Sequence, residues 1–297
     1  MADLSHVLPN MEIRYDEPMR LHTSFKIGGP VRAMVFPKNE NELAFTVREL
    51  RAYNIEFFVL GNGTNLLVAE KSLDLIAVKT PPGENGIRRL SDTVVQSYSG
   101  VSLSRLSGFA CERGLSGFEF AHGIPGSVGG AIFMNAGAYG GEVGDFTVSV
   151  DAVMPDGEIR TLSAHECGFS YRHSNFCDSG AAVLCAVFEF IPGIEAEIRE
   201  KMHSFAEQRR EKQPIDLPSA GSTFKRPPGG FAAAMIDEAG LRGFSVGGAA
   251  ISEKHAGFVV NRGGATFDDV VRVIDHVRDE VLRRTGVELA PEVRIIE

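Results

Sequence analysis

Tryptophan is absent from this sequence of 297 residues, and cysteine occurs only four times. No apolar run approaches the ~20 residues that a membrane span requires. Cys111, Cys167, Cys177 and Cys185 form no C-x-x-C pair and show no paired spacing with histidine. We therefore expect neither a zinc site nor a disulfide framework, and no other metal site is indicated. The four cysteines are interpreted as buried thiols.

Positive charge is also scarce, because 30 Lys and Arg residues face 39 Asp and Glu residues and leave a formal net charge of -9. This balance argues against a general surface for nucleic acid or for an anionic membrane. An anionic ligand must then be met by a local basic cluster. Residues 1–6 contain neither the basic nor the apolar region of a secretory signal. We expect a cytoplasmic protein with no membrane insertion, no nucleic-acid partner and no implied obligate protein partner.

The most informative short motif is the loop Gly61-Asn62-Gly63-Thr64-Asn65, between the apolar runs 57–60 and 66–68. Glycines at alternate positions allow φ > 0 and bring backbone N–H groups close to an anion. The loop is therefore a candidate phosphate-binding loop. The alternative is an ordinary polar hairpin turn, because Gly-Asn and Asn-Gly are common turn dipeptides. The flanks are too short and β-like for a Rossmann motif, and no G-x-x-x-x-G-K-[ST] motif occurs.

A second stretch, residues 123–141, is dominated by glycine and alanine. So many small residues exclude bulky side chains, as a segment pressed against a flat ligand or another backbone requires. The alternative is a flexible or collagen-like linker, but there is no G-X-Y period and apolar residues interrupt the run. We favour a wall of a ligand site.

Hydrophobic periodicity predicts helices and strands in mixed order. Ser102 is interpreted as a helix N-cap, and Thr266 with Asp269 as a capping box for a helix that ends at Gly286. Pro155-Asp156-Gly157 predicts a hairpin. A change in composition at Pro192-Gly193 suggests a domain boundary before a long helix over 194–212. Other strands are predicted over 31–36, 57–60, 66–68, 75–78, 94–98, 183–190 and 258–261, and other helices over 41–54 and 232–239.

Five motifs, in this order along the chain, together resemble the UDP-N-acetylenolpyruvoylglucosamine reductase family, flavoenzymes of peptidoglycan synthesis. Their joint occurrence is far more specific than any one of them, and the match extends from about Leu21 onward. The motifs are residues 61–67, residues 123–141, Tyr171-Arg172-His173-Ser174, residues 220–227 and residues 291–296.

The resemblance implies an α+β fold, with a two-part FAD-binding region of the PCMH/vanillyl-alcohol-oxidase type and a C-terminal α/β substrate domain. The corresponding domains are residues 1–80 and 81–191, which bind FAD, and residues 192–297, which bind the substrate. The shorter class of the family is the closer match, because little sequence separates Tyr171-Arg172 from the strand at Val183. The longer class has there an inserted loop with a substrate-binding tyrosine.

The reaction implied by the resemblance is the reduction of UDP-N-acetylglucosamine enolpyruvate to UDP-N-acetylmuramate, with FAD and NADPH as cofactors. Three residues match the family's catalytic positions. Arg172 would hold and polarise the substrate carboxylate, and Ser222 would donate a proton to carbon. Glu292 would assist in a protonated form, which requires burial to raise its pKa.

Further matches concern binding. The residues at FAD-binding positions of the family are Gly61, Asn62, Gly63, Thr64, Asn65, Leu66, Gly123, Gly126, Ser127, Gly130, Asn135, Gly137 and Arg209. Those at substrate-binding positions are Tyr171, Lys225, Arg226, His255 and Asn261. Lys225 and Arg226 also supply the local positive charge that a diphosphate needs. Thr64 and Arg226 depart from the residues that are frequent in the family, Ser and Asn.

Two other functions compete with this interpretation. Gly243-Phe244-Ser245-Val246-Gly247 fits the G-x-S-x-G motif of serine hydrolases, and Asp268 and His276 follow in the order acid, then base. Such a nucleophile elbow needs a strand before it and a helix after it, whereas glycines flank the motif here. The second alternative is a flavin- or nucleotide-binding module without catalysis.

Overall fold

The computed structural model describes residues 4–297; residues 1–3, where the first predicted domain begins, lie outside the described part. The helices are α1 (Glu40–Ala52), α2 (Leu103–Cys111), α3 (Val128–Met134), α4 (Ala164–Cys167), α5 (Phe176–Ser179), α6 (Glu195–Lys212), α7 (Ala232–Glu238) and α8 (Phe267–Thr285). The first strands are β1 (Glu12–Pro18), β2 (Pro30–Phe36), β3 (Phe57–Leu60), β4 (Leu66–Val68), β5 (Leu73–Lys79), β6 (Ile87–Arg89), β7 (Val94–Tyr98), β8 (Leu115–Ser116) and β9 (Gly137–Ala138). The remaining strands are β10 (Gly141–Glu142), β11 (Thr147–Val153), β12 (Ile159–Ser163), β13 (Ala182–Glu189), β14 (Ile191–Pro192), β15 (Ser245–Val246), β16 (Ala249–Ile251), β17 (Val259–Asn261) and β18 (Arg294–Ile296).

Two compact units divide the chain, and each is assembled from separate segments. Unit 1 contains the described residues up to Tyr15 together with Ala33–Asn62 and Leu75–Glu207. Unit 2 contains Asp16–Arg32, Gly63–Asp74 and Gln208–Glu297. The three consecutive domains anticipated from the sequence stay a prediction, and the two units divide the chain at other positions.

Unit 1 contains a five-stranded sheet with the order β12-β11-β13-β7-β6, in which all neighbours are antiparallel. The predicted hairpin joins β11 to β12. Gly157 has φ +84° there, and its N–H donates to the carbonyl of Met154 at 2.9 Å. A positive φ favours glycine, so this turn forms for the reason the sequence suggested.

A cluster of phenylalanines forms the centre of the main core of unit 1. The buried Phe118 ring meets four other rings at centroid distances of 5.2 to 5.8 Å, those of Phe120, Phe146, Phe188 and Phe190. Tilted and edge-to-face arrangements of this kind contribute about 0.5–1.5 kcal/mol per pair beyond the burial of area. Because Phe118 and Phe120 directly precede residues 123–141, this cluster anchors the start of the glycine-rich stretch.

Unit 2 is organised around α8, which contacts the antiparallel sheet β15-β16-β17. The Thr266 hydroxyl accepts the Asp269 N–H at 3.1 Å, and the Asp269 carboxylate accepts the Thr266 N–H at 3.0 Å, which confirms the predicted capping box. Gly286 ends the helix with φ +71°. The apolar face predicted from periodicity is buried, as the 0–2% exposure of Val270, Ile274, Val277 and Val281 shows.

The strand β18 pairs in parallel with β4 and completes unit 2, with Arg294 opposite Leu66 and Ile296 opposite Val68. Outside the ladder, the N–H of Ala69 donates to the carbonyl of Ile296 at 2.8 Å. The segment that follows the Gly61–Asn65 loop is thereby held by the segment that contains Glu292.

Among the cysteines, Cys111, Cys167 and Cys185 are buried thiols as predicted, whereas Cys177 is only half-buried. Burial raises the pKa of Cys167 to about 11. Burial, followed by the nearby Asp151 carboxylate, raises the pKa of Cys185 to about 12. Neither thiol is therefore reactive at neutral pH. In the described part of the chain, no helix combines the length and the apolar composition needed to cross a bilayer.

Glu119 is a buried carboxylate that ties the end of β8 to α6 within unit 1, with a side chain that is 2% exposed. It accepts the Ser116 hydroxyl at 2.8 Å and the Gly117 N–H at 3.0 Å, and Lys201 Nζ lies 3.5 Å away. Burial acts to raise the pKa of Glu119, but hydrogen bonds from the N–H groups of Glu119 and Gly117 and from the Ser116 hydroxyl, together with Lys201, outweigh it and lower that pKa overall.

We expect Glu119→Gln to lower the free energy of unfolding at pH 7 by about 2 kcal/mol, because charged hydrogen-bond acceptors are lost. The folded pKa lies below the unfolded value of 4.5, so the stabilising contribution is present above pH 4.5 and is lost as pH falls through the folded pKa. Thermal melts from pH 7 to pH 3.5 should show the two proteins converging on acidification. Glu158→Gln, at an exposed position, is the control, and a gap independent of pH would contradict the assignment.

Candidate active site

The loop Gly61–Asn65 begins where β3 ends. A side chain at Gly61 would collide with the hydroxyl of Ser127, and a side chain at Gly63, where φ is +63°, would collide with the carbonyl of His22. The two glycines therefore permit close approach to the protein's own chain. Part of the reason for glycine here is internal packing, which the phosphate-loop interpretation did not anticipate.

The same loop retains donors for an anion. Within residues 4–297, the backbone N–H groups of Asn62, Gly63 and Thr64 donate to no protein acceptor. Consecutive N–H groups of this kind suit the oxygens of a phosphate or diphosphate. Gly61 and Ser127 also adjoin each other, so the loop and the glycine-rich stretch meet inside unit 1. These features fit the diphosphate of FAD.

The glycine-rich stretch forms α3 and the hairpin β9-β10, neither of which was predicted. Ser127 is the N-cap of α3, and its hydroxyl accepts the Gly130 N–H at 3.4 Å. A Cβ on Gly129 would lie 2.8 Å from the Cβ of Ser99. The small residues thus allow α3 to pack closely against β7 and against Ser99, which directly follows β7. The FAD contacts expected of Gly123, Gly126, Ser127, Gly130 and Gly137 stay predictions.

Arg172 occupies a tight turn in unit 1. Ser170 and His173 exchange two backbone hydrogen bonds of 3.0 and 3.1 Å, which leaves Tyr171 and Arg172 as the two residues at the tip. Arg172 has φ +54°, in the left-handed region that disfavours a side chain. Its Nη2 donates to the carbonyl of Gly137 at 2.8 Å. Strained backbone at a functional position is a common feature of catalytic sites.

Asn135 holds this turn in place. Its side-chain amide donates to the Ser170 carbonyl at 2.9 Å and to the Glu142 carboxylate at 2.7 Å, and its Oδ1 accepts the Gly144 N–H at 2.9 Å. The residue is 1% exposed. Asn135 is thus a support for the Arg172 turn, and its predicted contact with FAD stays a prediction.

Ser222 and Glu292 lie in unit 2 on segments that are joined through Thr223. The Thr223 carbonyl accepts the Glu292 N–H at 2.8 Å, and the Thr223 N–H donates to the Gly257 carbonyl at 2.8 Å. Its hydroxyl accepts the Val259 N–H at 2.9 Å. Next to this buried clamp the Ser222 side chain is exposed, and its hydroxyl has no hydrogen-bond partner within residues 4–297. It is therefore available to a substrate.

Asn65 connects the glycine loop to the same segment. Its Nδ2 donates to the Glu292 carbonyl at 3.1 Å, and its own carbonyl accepts the Arg294 N–H at 3.0 Å. With the N–H of Glu292 bonded to Thr223 and its carbonyl bonded to Asn65, both backbone polar groups of Glu292 are engaged. Glu292 as a whole is partly exposed. The position of Glu292 is thus set by the loop predicted to bind the cofactor.

The predicted substrate residues of unit 2 differ in how they are held. The Lys225 N–H donates to the Ala290 carbonyl at 2.9 Å, and the exposed Arg226 guanidinium lies 4.5 Å from the Phe231 ring centroid. His255 Nδ1 accepts the Gly257 N–H at 3.1 Å, and its pKa is lowered by burial and then by Arg242.

Asn261 is 7% exposed, and its amide is engaged by protein groups. Its Nδ2 donates to the Phe25 carbonyl at 3.1 Å, and its Oδ1 accepts the N–H groups of Gly263 and Ala265 at 2.8 and 3.2 Å. The roles of Asn261, of Arg209 in the unit 2 part of α6 and of the exposed Tyr171 in unit 1 stay predictions.

The serine hydrolase alternative is contradicted. Ser245 lies in the two-residue strand β15, which is followed by Gly247, Gly248 and another strand instead of a helix. The ring of His276 stacks on Phe244 with centroids 4.1 Å apart. Asp268 and His276 both belong to α8, so the strand-turn-helix geometry of a nucleophile elbow does not form.

Sequence reasoning missed two supports of the site. Thr223 was named only as part of a motif, although its backbone and hydroxyl join three segments. Lys79 is a partly buried lysine at the end of β5 whose Nζ donates to the Gly61 carbonyl at 2.5 Å. The available signal for Lys79 was a single lysine that ends an otherwise apolar run next to the glycine loop.

Comparison with known proteins identifies related sequences over nearly the whole chain. Residues 213–296 match the family model described as UDP-N-acetylenolpyruvoylglucosamine reductase, C-terminal domain, and residues 31–163 match that of an FAD binding domain. UDP-N-acetylenolpyruvoylglucosamine reductase from Caldanaerobacter subterraneus subsp. tengcongensis is 46% identical over 293 residues, which cover 99% of this chain and 96% of that protein. The protein of the same name from Syntrophomonas wolfei subsp. wolfei is 43% identical over 295 residues, which cover 98% of that protein.

A solved structure agrees with these relatives. UDP-N-acetylenolpyruvylglucosamine reductase (MurB) from Thermus caldophilus superposes with a TM-score of 0.82 at 30% identity, over 97% of this chain and 100% of that one. The predicted α+β class, with an FAD-binding region followed by a distinct C-terminal domain, is confirmed. On these matches and on the fold that carries them, the chain belongs to the UDP-N-acetylenolpyruvoylglucosamine reductase family.

Proposed function

We propose that this protein reduces the enolpyruvyl group of UDP-N-acetylglucosamine enolpyruvate to yield UDP-N-acetylmuramate for peptidoglycan synthesis, with NADPH as the source of hydride. Family membership makes the chain an FAD-containing oxidoreductase that acts on a UDP-sugar. The cytoplasmic location expected from the sequence is part of the proposal.

The observation that carries the residue assignments is the clamp at Thr223. It joins the backbones of Ser222 and Glu292, which are some 70 positions apart in sequence and which the family resemblance names as catalytic. Thr223 is 3% exposed, and its bonds fix the backbones that carry both side chains. This arrangement supports a shared role in one reaction.

Arg172 is assigned to the substrate carboxylate. A guanidinium presents planar donors that match a carboxylate. Asn135 holds the backbone of the Arg172 turn, and the bond from Nη2 to the Gly137 carbonyl holds the side chain. Such preorganised charge stabilises the negative charge that develops beside the carboxylate as the double bond is reduced.

Ser222 is assigned as the proton donor to carbon. A hydroxyl is a weak acid, but the accepting carbon has carbanion character, so the transfer is downhill. Glu292, whose backbone is fixed by Thr223 and Asn65, would assist at the same centre. The loop 61–65 and Ser127 would hold the FAD diphosphate, and FAD supplies the hydride-transfer chemistry when it is bound.

The colour of the purified protein tests this function. We expect a yellow protein whose flavin absorbance is bleached by NADPH without oxygen and restored by UDP-N-acetylglucosamine enolpyruvate. UDP-N-acetylglucosamine, which lacks the enolpyruvyl group, is the control and should not restore the colour. A flavin that NADPH does not bleach would indicate the non-catalytic flavin-binding alternative. A protein that stays colourless after incubation with FAD would refute the proposal.

A further inference from the structure

Lys79 stands at the carboxyl edge of the parallel pair β3-β5 in unit 1. It is the last residue of β5 and lies opposite Leu60, the last residue of β3. Directly after Leu60 the chain turns into the glycine loop, and Lys79 Nζ donates to the Gly61 carbonyl at 2.5 Å. Ligands of sheets with parallel strands bind at this edge, where the strands end and the loops begin.

No counter-charge accompanies this amino group within residues 4–297. Strand β3 and Gly61 contain no charged side chain. Of the charged residues on adjoining segments, Arg32 pairs with Asp74 at 2.8 Å, and Arg105 donates to the main-chain carbonyls of residues 83–84. Burial lowers the pKa of Lys79 to about 8. Even a partly buried cation whose protein partner is a carbonyl is costly to desolvate unless an anion joins it.

We propose that Lys79 is the counter-cation of the diphosphate of the bound flavin nucleotide and supports the glycine loop through its bond to the Gly61 carbonyl. This proposal rests on the proposed function in one respect, that the nucleotide is FAD. Ammonium groups are common phosphate ligands, and a diphosphate brings two negative charges to a site that otherwise lacks them. The bond to the Gly61 carbonyl aims the ammonium at the loop whose N–H groups suit the same oxygens.

A pH dependence follows from the charge. The bound diphosphate favours the protonated amine, so FAD binding should take up a proton where free Lys79 is largely neutral. The affinity is full below the free-protein pKa of about 8 and should fall as pH rises above it. The uptake should be less than one proton per FAD near pH 8 and should rise toward one as pH rises above it.

The test is FAD binding to flavin-free protein. Flavin fluorescence measures the affinity from pH 7 to 9.5, and calorimetry in buffers of different ionisation enthalpy measures the proton uptake. Lys79→Met keeps the apolar stem and should weaken FAD binding at pH 7 by roughly 10- to 100-fold, with no proton uptake. Lys79→Arg carries a fixed charge and should bind FAD with little change in affinity across this pH range. Lys38→Met, at an exposed lysine, is the matched control and should behave as the wild type.

Three outcomes would overturn the proposal. They are FAD affinity in Lys79→Met within twofold of the wild type, absence of proton uptake in the wild type, and equal losses of affinity and melting temperature in the Met and Arg variants. Equal losses in the two variants would mean that Lys79 only holds the Gly61 carbonyl in place. In each case a wild-type protein that binds FAD and is bleached by NADPH leaves the proposed function standing. Failure of the wild type to bind FAD refutes that function instead.

Discussion

Replacing Ser222 with Ala should leave flavin reduction by NADPH near its wild-type rate and slow flavin reoxidation by the enolpyruvyl substrate by about 10²- to 10⁴-fold. Only the second half-reaction needs a proton at carbon. The Ser222 side chain is exposed and makes no hydrogen bond within residues 4–297, so its removal should not change the melting temperature. Stopped-flow absorbance measures the two half-reactions separately.

Ser245→Ala is the matched control for this experiment. Ser245 is also an exposed serine of unit 2, and it is the residue that the hydrolase motif singled out. Both half-reactions should proceed normally in that variant. If Ser222→Ala slows both half-reactions equally, Ser222 has a structural role and is not the proton donor.

Arg172→Asn should slow flavin reoxidation by about 10²- to 10³-fold, the usual cost of removing a donor that stabilises developing negative charge. Asparagine is chosen because it tolerates the left-handed backbone, and the φ of +54° at Arg172 costs on the order of 1 kcal/mol with an arginine. Relief of this strain offsets the lost bond to the Gly137 carbonyl. The free energy of unfolding should therefore change by less than about 1 kcal/mol.

Substrate titrations under stopped flow, together with chemical denaturation, check both parts of this prediction. Arg160→Asn is the control, since Arg160 is an exposed arginine of unit 1 whose partner, Asp156, lies in the β11-β12 hairpin. Normal reoxidation in Arg172→Asn would remove Arg172 from the catalytic residues. A large loss of stability would instead show that the arginine is retained at this turn for folding.

Local signals were enough to predict several elements. The capping box of Thr266 and Asp269, the N-cap Ser102 and the Pro155-Asp156-Gly157 turn each depend on residues within four positions of one another. Side chains that satisfy nearby backbone groups act in the same way in almost any tertiary context. The sequence of the candidate site was likewise visible as motifs, and the comparisons confirm the family they indicated.

The rest depends on partners far away along the chain. Glycines in residues 123–141 permit a helix to pack on Ser99, which no local pattern encodes. The clamp at Thr223 and the bond from Asn65 to Glu292 join segments separated by tens to hundreds of residues. Each of the two units consists of three segments that alternate with those of the other unit along the chain, whereas composition can suggest only consecutive domains.

The pairing of β18 with β4 sets an order of events during synthesis. Leu66 and Arg294 are partners across roughly 230 positions. A ribosome that adds roughly 5–20 residues per second needs on the order of 10 to 50 s to cover that distance. Throughout this interval the edge of β4 has no partner strand, and Asn65 has no Glu292 carbonyl to hold. A growing chain therefore carries the Gly61–Asn65 loop without its Glu292 contact until residues 294–296 have left the ribosome.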